Sequence, residues 1–219
     1  MVRSGFERLV QIPVGSVLLE GELTIPAGAQ GAVLFAHGSG SSRHSPRNNF
    51  VAQVLLKAGI GTLLFDLLTE EEDTIYETRF NIALLTHRLV AATQWLAQQP
   101  KTKHLRIGYF GASTGAAAAL EAAAALGVQI GAVVSRGGRP DLAGQALFQV
   151  QAPTLLIVGG KDDVVIELNQ QAYGQLKSEK ELVIVPGATH LFEEPGTLEE
   201  VARLAVDWFT RFLIRSEHG

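Results

Sequence analysis

The sequence predicts an α/β protein: a mostly parallel sheet with helices on both faces, preceded by an antiparallel hairpin. Three observations predict it. From Gly31 onward, short apolar runs alternate with amphipathic stretches, a pattern that needs crossover connections and buries each strand on both sides. Ahead of Pro26 lie two extended runs with no helix between them. The chain has 219 residues, 47% apolar and 18% charged, the balance of a soluble globular protein with one sizeable core. No internal repeat, linker or composition break divides it, so residues 1–219 are expected to form a single domain.

FERLVQIPVGSVLLEGELTIP reads as two strands joined at Pro13-Val14-Gly15, with the register left open. GAVLFAHG is a buried parallel strand running into a Gly-rich loop. Ser45 before Pro46 reads as an N-cap and first helical residue, and Phe50, Val51, Val54, Leu55 and Ala58 make one helical stripe ended by Gly59. The cycle then repeats with the strand IGTLLFD, a helix over residues 79–98, the strand LRIGYFG, a helix over 114–126 and the strand IGAVVS. A short helical stretch over 141–148 leads to the strand PTLLIVGG, a helix over about 164–176 and the strand ELVIVPG. The last helix carries Thr197-Leu-Glu-Glu200 as a capping box, with Val201, Leu204, Ala205, Trp208, Phe209 and Phe212 on one face. Every loop that follows a parallel strand opens on one edge of the sheet, where such folds place ligands.

Composition excludes several functions. With 18 Lys and Arg against 22 Asp and Glu, the net charge of −4 offers no bulk attraction for nucleic acid. There is no cysteine, which removes disulfides, thiolate metal sites and a cysteine nucleophile. A cysteine-free chain with no recognisable signal peptide and no run of about 18 apolar residues is expected in the cytoplasm, away from membranes. The six histidines show no metal spacing. The acidic run Glu70-Glu71-Glu72-Asp73 is expected to be a solvated loop, because adjacent carboxylates repel without spaced backbone ligands. Neither a metal nor an organic cofactor is expected.

Four loops on the ligand edge carry the chemistry. Gly111-Ala-Ser-Thr-Gly115 places Ser113 on a strand-to-helix junction between small residues, where a sharp turn can expose its hydroxyl. The following helix start supplies N–H groups and a positive dipole end for developing negative charge. A serine needs a base to take its proton, and the base needs an acid to fix its tautomer. Asp162, in Gly159-x-x-Asp162, and His190, after ELVIVPG, supply those roles in the order Ser, Asp, His, each just beyond a strand. A helix-capping role is the competing reading of Ser113 and of Asp162 taken singly, and Asp163 is the rival acid. In the loop AHGSGSSRHSPRN, which lacks the endings of a P-loop or a dinucleotide site, the N–H of Ser39, or of Gly40, is expected to join that of Thr114 in an oxyanion hole. His37 is expected to be structural.

These motifs resemble the α/β-hydrolase superfamily, and the compact length resembles its dienelactone hydrolase branch. HGSGSSRHSPRN with SRGGRPD is similar to hydrolase domains sometimes joined to phosphoribosyltransferases, although no such partner segment lies in these residues. The resemblance covers almost the whole chain. It implies an eight-stranded hydrolase sheet with the triad above, no metal and no cofactor. Dienelactone hydrolases proper use cysteine where this chain has Ser113, which favours carboxylic ester hydrolysis over dienelactone hydrolysis.

The expected function is cleavage of small carboxylic esters or lactones through an acyl-enzyme. Thioester or peptide hydrolysis, acyl transfer, or a catalytically silent binding module are the alternatives. Only 16 residues separate Arg136 from Pro153, too few for a lid domain, so the pocket is expected to be open and the substrate small. Arg43, His44, Arg47, Arg136 and Arg139 gather on this edge. Arg136 first, then Arg43, are the candidates to hold a substrate carboxylate or phosphate, with an Arg139–Asp141 pair or plain solvation as the competing reading.

Overall fold

The chain opens with an antiparallel hairpin of β1 (Phe6–Val14) and β2 (Val17–Ile25) and then alternates. The order is β3 (Gly31–Ala36), α1 (Pro46–Lys57), β4 (Gly61–Phe65), the single turns α2 (Glu70–Asp73) and α3 (Tyr76–Arg79), α4 (Ile82–Gln98), β5 (Arg106–Ala112) and α5 (Thr114–Leu126). It continues with β6 (Ile130–Arg136), a 3-10 stretch (Pro140–Gln149), β7 (Thr154–Gly159), α6 (Asp163–Gln175), β8 (Lys180–Val185) and α7 (Thr197–Leu213). This computed structural model describes residues 5–215.

All eight strands share one sheet in the order β1-β2-β4-β3-β5-β6-β7-β8. The hairpin joins β4 antiparallel, and every pairing from β4 through β8 is parallel. After β3 the chain moves outward to β4, then returns past β3 to β5 and builds away in the other direction. The loops after β3 and β5 therefore flank the point where the strand order reverses, the place where such sheets bind ligands.

Side-chain alternation sorts the core into two layers. Val33, Phe35, Phe110 and Val134 face α1 and α7, whereas Leu34, Tyr109, Val133 and Leu156 face α4, α5 and α6. The alanines of α5 at 116–119, 122 and 123 are all buried. Small side chains let that helix lie close to both the sheet and α4, and alanine is also the strongest helix former. The phenol of Tyr109, sealed in the core, meets the Thr93 hydroxyl at 2.6 Å.

Several element ends differ from expectation. The hairpin turns at Gly15 and Ser16, and Pro13 stays in β1, where an edge strand tolerates it. The helix expected over 79–98 starts at Ile82 with Asn81 as its cap, because Asn81 Oδ1 accepts the Leu84 N–H and separates off the turn α3. Phe50 lies on the outer side of α1, where Ala52 and Leu56 are buried instead. The capping box is misplaced in the sequence reading. Gly196, in the left-handed region, precedes α7, and the Thr197 hydroxyl donates to Glu194 O. A true capping box joins Thr69 and Glu72, so the acidic run read as a solvated loop is the helical turn α2, its carboxylates at the positive end.

Two glycines of opposite consequence test this packing. A Cβ at Gly108 would sit 2.8 Å from the Phe209 ring and 2.9 Å from Leu213, so Gly108→Ala should push α7 off β5 and cost about 1–3 kcal/mol. At Gly174, an exposed position in α6 with open space around it, alanine should add about 1 kcal/mol. Urea unfolding of both variants reads the two signs.

Candidate active site

Ser113 follows directly on β5 and has φ +50° and ψ −122°, a conformation that L-residues avoid at a cost of about 1–3 kcal/mol. The surroundings impose it. The Ser113 N–H points to Arg136 O on β6 at 3.4 Å, and its carbonyl accepts the N–H groups of Ala116 at 3.1 Å and Arg139 at 3.0 Å. The flanking glycines are spatial requirements. A Cβ on Gly111 would lie 2.5 Å from Ala116 Cα, and one on Gly115 would lie 2.1 Å from Ala36 O. The Ser113 side chain makes no capping bond to α5, which sets aside the capping role.

Asp162 stands at the N-cap of α6, yet its carboxylate caps nothing. Its Oδ2 lies 2.6 Å from His190 Nδ1. Gly159 makes this meeting possible, since a Cβ there would strike Ala188 O at 2.5 Å and Thr189 O at 2.7 Å. The Lys161 N–H bonds Ala188 O and ties the two loops together, and the Thr189 N–H donates to Glu194 Oε2, which closes the histidine loop on itself around His190. That bond holds the Glu194 carboxyl below its usual range. Asp163, the rival acid, is exposed on the first turn of α6. No hydrogen bond joins His190 Nε2 to the Ser113 hydroxyl among the described residues.

The β3 loop closes over the same turn. A Cβ on Gly38 would lie 3.1 Å from Ser113 Cβ and 3.8 Å from its Oγ. The Ser39 N–H donates to Thr114 Oγ1 at 3.0 Å. Ser39 and Thr114 are thus brought together, with the Thr114 hydroxyl holding the Ser39 donor in the resting structure. Gly40 has φ +68° and turns the loop away. His37 is buried and bridges the loops: Nδ1 bonds Gly38 O at 2.9 Å and Nε2 accepts the Leu67 N–H at 3.0 Å.

The arginines divide. Arg139 makes a two-pronged pair with Asp141 at 2.9 and 2.8 Å. Arg43, expected to face substrate, is paired within the protein: its guanidinium holds Asp66 and Glu20, the latter at 2.6 Å, and its backbone N–H bonds Asp66 Oδ1. Arg136 is 6% exposed, with its Nε sealed and unpartnered and its guanidinium carbon 5.9 Å from the Phe192 ring centroid. Burial first, then the charge of Arg47, pulls its pKa down to about 10.

The sequence reading missed Asn169, fully buried inside α6, whose Nδ2 donates to Gly138 O and Val165 O. A polar amide at a core-facing position of a helix is the signal that could have found it. A concavity of about 830 Å³ lies between the hairpin and α4 against Phe6, Leu9, Trp95 and Lys101. It touches none of Ser113, Asp162 or His190, and the His190 side chain is 40% exposed. Among the described residues no helix is long and apolar enough to cross a membrane.

Residues 31–213 match the Dienelactone hydrolase family. The chain belongs to that family. A crystal structure of a dienelactone hydrolase from Anabaena variabilis superposes with a TM-score of 0.93 at 59% identity, covering 95% of this chain and 99% of that one. An esterase of Pyrococcus furiosus shares the fold, with a TM-score of 0.74 at 21% identity over 95% and 94% of the two chains. A Mycobacterium tuberculosis protein provisionally named a phosphoribosyl transferase is 62% identical over 91% of this chain. The chain spans only 45% of that relative's length. The dienelactone hydrolase match and the eight-stranded sheet make this an α/β-hydrolase.

Burial, ahead of the opposing Gly38 bond and the charges of Asp66 and Asp73, lowers the His37 pKa below 6.5. A depressed histidine adds stability that is present above its unfolded value and lost as pH falls toward the folded one. Urea unfolding between pH 7.5 and 5.5 should therefore show wild type losing more stability than His37→Gln, whose amide cannot gain that proton.

Proposed function

We propose that this protein is a serine hydrolase of small carboxylic esters or lactones, with Ser113 as nucleophile, His190 as base and Asp162 as its orienting acid. One observation carries the reading: the Asp162 carboxylate leaves its helix uncapped and meets His190 Nδ1 at 2.6 Å instead. A carboxylate at that distance keeps the proton on Nδ1 and leaves the Nε2 lone pair free to accept the serine proton. The strained turn at Ser113 supports the nucleophile role, because a backbone conformation that is costly without function is stored where chemistry needs it.

The reaction follows from these groups. Ser113 Oγ bonds to the ester carbonyl carbon as His190 takes its proton, and the carbonyl oxygen becomes an oxyanion. The Thr114 N–H, at the start of α5, and the Ser39 N–H stabilise that charge, and the Thr114 hydroxyl that holds Ser39 at rest turns aside when the oxyanion arrives. The C–O bond to the alcohol breaks as His190 returns the proton to the leaving oxygen. Water then attacks the acyl-serine by the same route, with its proton passing to His190, and Ser113 leaves protonated. The exposed edge suits a small, soluble ester, and the names of the relatives, a dienelactone hydrolase and an esterase, support carbonyl ester chemistry.

A fluorophosphonate, read by intact mass, tests this without a choice of substrate. Wild type should gain a single adduct, Ser113→Ala none, and His190→Ala only a slow one. On a short 4-nitrophenyl ester, Ser113→Ala should lower kcat by roughly 10⁴–10⁶-fold and Asp162→Asn by roughly 10³–10⁴-fold. A folded wild type that takes no adduct would overturn the proposal and favour a binding module on this fold.

A further inference from the structure

Two arginines are equally buried and differently treated. Arg88 and Arg136 are each 6% exposed. Arg88 reaches Glu72 at 2.6 Å, the arrangement that lets a charge leave water. Arg136 has no ion pair and no hydrogen bond from its guanidinium among the described residues, and its Nε is sealed from solvent. A cation left with only the tip of its guanidinium in reach of water and given no counter-charge is destabilised, and a ligand at that tip can supply the missing charge.

Its place in the fold gives the ligand an address. Arg136 ends β6 level with Ala112, so its carbonyl faces the Ser113 N–H. Its side chain leaves on the α1 and α7 side of the sheet, the side of Ala132 and Val134. There it meets Phe192, two residues beyond His190, and comes near enough to Arg47 for the two charges to repel. Arg47 belongs to the first turn of α1 and is itself poorly matched. Its Nε is sealed without a partner, and its one acid among the described residues is Glu193, 66% exposed and 3.7 Å away. The twelve-residue helix α1 is capped by the Ser45 hydroxyl, which accepts the Asn48 N–H, but it carries no acidic residue in its first turn, so no negative charge offsets its positive end.

We propose that Arg136, Arg47 and the start of α1 form an oxyanion site beside the nucleophile turn that takes a carboxylate or phosphate group. A planar or tetrahedral oxyanion between the two guanidiniums would accept their N–H bonds and relieve the repulsion between them. The site goes beyond the serine chemistry, since an anion can bind whether or not Ser113 reacts. Two sources fit the same chemistry: the acidic arm of an anionic ester, or a free anion.

Thermal melting in sodium phosphate or succinate, against sodium chloride at equal ionic strength, tests the site directly. Wild type should gain about 3–5 °C at a tenfold excess over Kd, and Arg47→Gln and Arg136→Met should gain none. In chloride, Arg136→Met should melt at or above wild type, because it removes an unpaired buried charge, whereas a guanidinium with a purely structural role would make it melt lower. A second arm identifies the source through the ratio of kcat/KM on 4-nitrophenyl hydrogen glutarate to that on 4-nitrophenyl acetate, in which a general loss of activity cancels. A drop of about tenfold in this ratio for Arg47→Gln assigns the site to the substrate's acidic arm. An unchanged ratio with the anion shift lost assigns it to a free anion. No anion shift in wild type together with an unchanged ratio overturns the proposal. A wild type that cleaves neither ester counts against the serine mechanism, and the melting arm still decides the site.

Discussion

The positive φ of Ser113 is the constraint around which the rest is arranged. One non-glycine residue held in a left-handed turn at the end of β5 requires atoms on every side to give way. Gly111 and Gly115 leave room for α5 and for the end of β3, and Gly38 lets the next loop close against the serine. The segment 137–139 completes the hold, since Gly137 bonds Ile157 on β7, Gly138 accepts from Asn169 on α6, and Arg139 donates to the serine carbonyl. The turn is thereby fastened to the strand and helix that bring Asp162, which couples the position of the hydroxyl to that of the acid 49 residues later in sequence.

How much of this was legible follows from how local each signal is. The alternation of apolar runs and helical stripes gave the α/β class and located β3 through β8, and α5 was read to the residue because its start is fixed by the serine turn itself. Helix starts elsewhere depended on which of several polar residues accepts an N–H. Asn81 and Thr69 won at α4 and α2, and Thr197 turned its hydroxyl to a carbonyl, choices that sequence spacing alone does not settle. The meeting of Asp162 with His190 was readable as order and loop placement. The bond from Ser39 to Thr114 was not, since it depends on how one loop crosses another.

Charge was the least legible layer. Four arginines on the ligand edge looked alike as letters, and three-dimensional neighbours sort them by the acid each one reaches. Among the described residues Arg43 and Arg139 have strong partners, Arg47 has a weak one, and Arg136 has none. Glu20, which completes the Arg43 pair, comes from the N-terminal hairpin far from the loop it steadies. No pattern of spacing within a loop could have announced it.

The uncapped start of α6 sets two kinds of fitness against each other at one position. A residue whose carboxylate turns from its own helix to a histidine leaves the first N–H groups of that helix without their best acceptor. Serine at position 162 would suit the helix better and, in the proposed mechanism, the chemistry worse. If that mechanism holds, selection for robustness alone would drift toward a tighter, silent protein, and keeping aspartate here sets turnover above thermal endurance.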